Sequence, residues 1–207
     1  MTAVFALVVG LATVACLWSI ALRGASSANA LAVVGMLAGL AAAGRVVLGG
    51  IPGVEPMTTV VVCAALVLGW RCGVVVGILA VAMSNMVLGH GPWTPWQMVA
   101  IAIVATIAWT AAPTLRRLAA TGVTWLVVLA AVNVVAVLAY DATMTVSQYV
   151  LLVAAEGGGS LASVAVAGAS FAVIHVVAST LITMLFAPPL IEALERAALR
   201  LSGVPAT

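Results

Sequence analysis

The chain has 207 residues, 66% of them hydrophobic and only 6% charged, with no lysine and a formal net charge of +2. Soluble domains carry about a quarter charged residues, so this composition excludes a soluble protein. Spanning helices need roughly 20 apolar residues each, and such runs fill the length.

Seven apolar runs follow in order, at about 2–22, 29–48, 57–70, 73–88, 95–113, 123–140 and 162–187, before a tail over 188–207. Backbone polar groups cannot stay unpaired in lipid, so each run is expected to be helical. The first run, MTAVFALVVGLATVACLW, lacks the basic start of a signal peptide and reads as a helix that stays. Cys16, Cys63 and Cys72 form no CxxC pair, so they suggest small apolar residues in packed helices rather than a metal cluster or disulfide framework.

The second run contains VVGMLAGLAAAGR, in which Gly35 and Gly39, Ala38 and Ala42, and Gly39 and Ala43 are small residues four apart. Such spacing permits close helix approach, either inside the protein or against a partner in the membrane. The connection GGIPGVEP follows, flanked by Arg45 and Glu55. These two either pair with each other or orient the polar groups of a ligand.

Arginine sets the orientation, because short cytoplasmic loops collect positive charge. Arg23, Arg71, Arg116, Arg117, Arg196 and Arg200 all fall on one side when the C-terminus is inside, and seven spans then put the N-terminus outside. Arg45 is the exception. The opposite side gathers the connections GGIPGVEP and GHGPWTP and the segment 141–160, which hold Glu55, His90, Asp141 and Glu156. Connections so rich in Gly, Pro, aromatic and acidic residues have the composition of a site.

The segment LGHGPWTPWQM carries the densest information. Thr94 is placed to cap a helix, Pro95 suits the first helical position, and Gln97 stands where a capping box needs it. Trp93 and Trp96 fit an aromatic belt at the headgroup level. With His90, Asn85 and Gln97 beside them they also fit a stacking and hydrogen-bonding wall for a flat organic ligand.

Within the later runs Asn133 and His175 fall at mid-membrane depth. Buried polar side chains there hold helices together or line a route. Positions 168, 171 or 172, 175, 179 and 183 share one helical face, which must meet protein or a cavity. Tyr140, Asp141 and Glu156 are candidates for a lid. The sequence contains no nucleophile elbow, HExxH or paired carboxylates. Glu156-Gly157-Gly158-Gly159-Ser160 lacks the lysine of a phosphate-binding loop, so any ATP hydrolysis belongs to another chain. The tail PPLIEALERAALRL has one apolar helical face and is expected to lie on the cytoplasmic surface.

The run GRVVLGGIPGVEPMTTVVVCAALVLGWRCGVVVGILAVAMSNMVLGHGPWTPWQMVA, Gly44 to Ala100, resembles the substrate-binding S components of energy-coupling factor (ECF) vitamin transporters. The proline-rich loop, the Gly-Trp-Arg-Cys-Gly turn, Ser84-Asn85 and above all Gly89 to Met98 carry the resemblance. It implies an all-α integral membrane protein with a six-helix substrate-binding domain over 29–187. An extra N-terminal transmembrane helix over 1–28 and a cytoplasmic tail over 188–207 complete the expected chain.

The resemblance implies a bacterial cell-membrane protein, not itself an enzyme, that binds a vitamin near the outer face and topples to release it inside. Its partners would be a transmembrane coupling subunit, met by Ala38 and Ala42, and two cytoplasmic ATPases. The ligand wall would consist of Arg45, Glu55, Asn85, His90, Trp93, Thr94, Trp96 and Gln97, with Tyr140, Asp141 and Glu156 as a lid and His175 as a further substrate-binding residue. Nickel and cobalt members start Met-His where this chain has Met1-Thr2, so no metal is expected; a cofactor and a nucleic-acid partner are not expected either. The Gly-Pro-Trp-Thr loop is most similar to members associated with cobalamin or its precursors. An autonomous carrier with a route past Asn133 and His175 is the alternative.

Overall fold

A computed structural model describes residues 28–118, 122–153 and 159–201, which form helices and no strand. The helices are α1 (Ala28–Leu48), α2 (Met57–Leu68), α3 (Trp70–Leu88), α4 (Thr94–Arg116), α5 (Val123–Gln148) and α6 (Leu161–Leu201), with a π-helical turn at Tyr149–Val153 after α5. The first apolar run, with Arg23 and the expected extra helix, lies outside the described residues. So does Glu156.

Five helices, all but α2, are long and apolar enough to cross a membrane, as in a multi-pass membrane protein. α2 has 12 residues, about 18 Å of helix against a hydrocarbon core of roughly 30 Å. Its residues from Met57 to Leu66 are all buried, so it is a central strut enclosed by the longer helices. Gly69, with φ of +91°, reverses the chain in one residue, a backbone state that side-chain-bearing residues avoid. The hairpin closes tightly because Gly73 of α3 lies against Ala65 of α2. Arg116 at the end of α4 donates from Nη2 to the Leu66 carbonyl (3.1 Å), supplying one of the last-turn acceptors that a helix cannot pair internally.

Two boundaries differ from the sequence expectation. α5 runs to Gln148 rather than stopping near 140, so Tyr140 and Asp141 belong to a helix and not to a mobile lid. An aspartate can sit inside this apolar helix because His175 of α6 meets it. Helix α6 is the other case: its 41 residues pass through Pro188 and Pro189, about 60 Å at 1.5 Å per residue. The tail therefore does not form a separate surface helix. Ile191 and Leu194 pack into the core with Ala187, and that apolar face holds the helix on course. Toward its start, α6 is mostly exposed apart from Val164.

The polar side chains at the centre act as joints. Asn133 of α5 donates to Ser179 and Thr180 of α6 (both 3.3 Å), and its carbonyl accepts from Thr183 (3.0 Å). Thr183 also bonds Thr59 of α2 (2.8 Å). Asn133, Ser179 and Thr183 are fully buried, so one side-chain network ties three helices where lipid offers no competing partner.

Candidate functional site

The ends of α1, α3 and α5 and the starts of α4 and α6 meet at one end of the bundle, together with the connections 49–56 and 89–93. Because α2 is shorter than its neighbours, the connection ahead of it descends into the bundle. Gly53, at φ of +77°, lies against the backbone of Phe171 and His175 of α6. Non-helical backbone survives at such depth only where protein or a cavity surrounds it, and Gly53 is buried.

This descent brings Glu55 to Arg45. Arg45 donates from Nε to Glu55 Oε2 (2.8 Å) and from Nη1 to Ser84 Oγ (2.8 Å) and Asn85 Oδ1 (2.7 Å). The amide nitrogen of Asn85 then donates to Thr94 Oγ1 (3.1 Å) and Gln97 Oε1 (2.8 Å). Thus α1, the first connection, α3 and α4 share one charge-assisted chain of hydrogen bonds, with Asn85 buried at its centre.

That chain changes the reading of Thr94 and Gln97. The helix begins at Thr94, and Trp93 occupies the cap position without a side-chain cap bond. Thr94 Oγ1 accepts from Gly91 N (3.2 Å) and from Asn85, while Gln97 turns its oxygen to Asn85. The expected capping box is absent because Asn85 claims both side-chain oxygens. Pro95 does occupy the first turn.

A second polar group joins α5 and α6. His175 Nδ1 lies 2.8 Å from Asp141 Oδ1, within hydrogen-bond range. His175 Nε2 faces Glu55 Oε1 at 3.7 Å, beyond hydrogen-bond range. Tyr140 meets the imidazole edge-on with ring centroids 5.8 Å apart, and Phe171 lies across it at 5.7 Å. Glu55 is therefore the link between the Arg45 chain and the His175–Asp141 pair.

Beside this cluster is a cavity of about 510 Å³, lined by Pro92 and Trp93, by Asp141, Met144, Thr145, Ser147, Gln148 and Leu151, and by Ala167, Gly168, Phe171 and Ala172. Its volume falls in the range of small-molecule sites, roughly 300 to 1,000 Å³. A smaller space of about 180 Å³ lies between Arg45, Glu55, the first connection and Phe171.

Of the residues named from sequence, Trp93 and Asp141 line the larger cavity, and Arg45 and Glu55 the smaller one. Asn85, Thr94, Gln97, Tyr140 and His175 are the buried supports behind them. His90 is exposed and lines neither space. Trp96 is half-buried, with its indole nitrogen enclosed and unbonded. Ala38 and Ala42 do not present a docking surface. They are 0% and 5% exposed, facing the core, whereas Gly35 and Ala43 face outward with Met36 and Leu40.

Sequence reading missed the wall formed by Met144, Thr145, Ser147, Gln148 and Leu151, because it ended the helix before them. The face shared by Gly168, Phe171 or Ala172 and His175 was the available signal for the opposite wall. Among the described residues no group of three or more His, Cys, Asp or Glu is placed to hold a metal ion. Comparisons with protein-family models, curated proteins and solved structures return no match.

Proposed function

We propose that this chain is the substrate-capturing subunit of an ECF-type importer in a bacterial cell membrane, with its C-terminus in the cytoplasm. The observation that carries the reading is the convergence of Arg45, Glu55, Asn85, Thr94, Gln97, Asp141 and His175 at one end of an otherwise apolar bundle, beside a cavity of small-molecule size. A lipid-facing helical protein keeps buried charge in one place when that charge has work to do.

On this reading a vitamin-sized molecule enters between Trp93, α5 and α6. The Arg45 network holds the walls in a fixed geometry, which lowers the ordering cost of binding. A cavity of about 510 Å³ suits a compact vitamin better than a complete corrinoid, so cobalamin is the weaker candidate. Transport energy comes from outside the chain, through a coupling subunit and two ATPases. Docking on that subunit would use the outward small residues of α1, Gly35 and Ala43, in place of Ala38 and Ala42.

Reconstitution into vesicles tests the proposal. Uptake of the ligand that co-purifies with the chain is expected only when the coupling subunit, the ATPases and ATP are all present. Uptake by the purified chain alone would establish an autonomous carrier instead. The burial and complete pairing of the Asn133 amide speak for the first outcome, since a route past it would have to break that joint.

A further inference from the structure

The wall of the larger cavity carries an uneven set of polar atoms. Among the described residues Asp141 is its one ionisable side chain, and no arginine or histidine lines it. The carboxylate is nearly enclosed, at 11% exposure. One oxygen is bound to His175, while Asp141 Oδ2 is buried with no hydrogen-bond partner. Ser147, 1% exposed and also on the cavity wall, has a buried hydroxyl with no partner. Arg45, the cation of the cluster, is committed to Glu55, Ser84 and Asn85.

Buried polar atoms are almost always paired, and leaving a carboxylate oxygen unpaired is among the costlier exceptions. A ligand that brought a donor to Asp141 Oδ2 would remove that cost. A ligand that brought a second anion would add like-charge repulsion in a low-dielectric space. Trp93, Phe171, Met144, Leu151 and Pro92 offer flat and apolar contact, and the neutral side chains of Thr145 and Gln148 add no charge. Aromatic faces also attract cations.

Resting on the capture reading above, we infer that the cavity takes a compact ligand with a flat apolar body and a cationic or N–H-donating nitrogen head, the head meeting Asp141 while a donor on the body, such as a ring N–H, meets Ser147.

The test uses the full chain purified in detergent and three probes that share an indole body: tryptamine, 3-methylindole and indole-3-acetate. Binding is followed by tritiated-probe equilibrium dialysis, and chain integrity by melting temperature. Tryptamine is expected to bind at least tenfold more tightly than 3-methylindole, with indole-3-acetate weakest. Asp141→Asn is expected to remove the preference for the amine, and Asp141→Glu to keep it. Ser147→Ala, which leaves the hydrogen bond between Asp141 and His175 intact, should weaken tryptamine severalfold, and serves where Asp141→Asn does not fold.

Equal or tighter binding of indole-3-acetate, or an amine preference unchanged in Asp141→Asn, overturns the head-group assignment and leaves the capture reading standing. Failure of tryptamine to bind also overturns it. The capture reading falls separately, when no small molecule co-purifies with the chain and none of a vitamin panel raises its melting temperature.

Discussion

Arg45 donates from Nη1 to Asn85 Oδ1 at 2.7 Å, fastening the C-terminal end of α1 to that of α3, and the same guanidinium holds Glu55 through Nε. Removing the cation while leaving its partners would strand a carboxylate and an amide at side-chain exposures of 16% or less. Breaking a buried pair from one side costs about 3 to 5 kcal/mol. Arg45→Met is therefore expected to lose about 3 kcal/mol of stability in reversible unfolding in mixed micelles. The double variant Arg45→Met with Glu55→Leu should regain a substantial part of it. A double variant no more stable than the single one would show that Glu55 is not the group Arg45 neutralises.

Asn133 offers the contrasting case of a buried polar residue whose side-chain amide is engaged between helices. Its amide joins α5 to Ser179, Thr180 and Thr183, and hydrogen bonds between membrane helices contribute about 0.6 to 2 kcal/mol. Asn133→Leu should lower stability within that range. Ligand affinity and coupled uptake should stay within a factor of two of the parent chain. A variant that remains folded yet loses uptake would place Asn133 on a transport route.

Much of this architecture was legible in the sequence, and the reasons are particular. Apolar runs bounded by Gly, Pro and Arg located six helices, because the bilayer leaves few alternatives to helix for an apolar stretch. The cluster of Glu55, Asn85, Gln97 and Asp141 stood out because polar side chains are rare in such a chain. Direction around a helix was harder to read. With α1 built of Ala, Val, Leu, Gly and Met on every side, periodicity could not tell that Ala38 faces inward and Gly35 outward. The reach of α5 past Asp141 depended on a partner 34 positions away, His175, and a local pattern does not contain such information. Thr94 met every local rule for a cap, but Asn85 outcompeted the helix end for its hydroxyl.

Gly53 gives a sharp local test of the descending connection. A Cβ there would stand 3.1 Å from the backbone nitrogen of His175 and 3.2 Å from Ile174, on a residue at φ of +77°. Alanine at a positive φ destabilises by more than about 1 kcal/mol, and here the neighbours are largely helix backbone that cannot move aside. Gly53→Ala should lower the melting temperature by several degrees and weaken ligand binding by displacing Glu55. Gly50→Ala, where a Cβ meets nothing within 4 Å, should leave both unchanged. Similar behaviour of the two variants would mean that the connection does not rest on α6 in the membrane.

Sidedness decides whether these residues form an outward-facing site at all. His90 is exposed just ahead of α4, and Arg117 is exposed just beyond its other end. The 23 residues of α4 span about 35 Å of helix, enough to cross the hydrocarbon core. In a background lacking Cys16, Cys63 and Cys72, a cysteine replacing His90 should react with a membrane-impermeant maleimide on intact cells. A cysteine replacing Arg117 should react only after the membrane is opened. The expected direction follows from the positive residues at the Arg117 end, because short loops rich in arginine are favoured in the cytoplasm. The reverse labelling pattern would turn the cavity beside Asp141 toward the cytoplasm and remove the basis for capture from outside. Labelling of both positions from one side would break α4 as a membrane span.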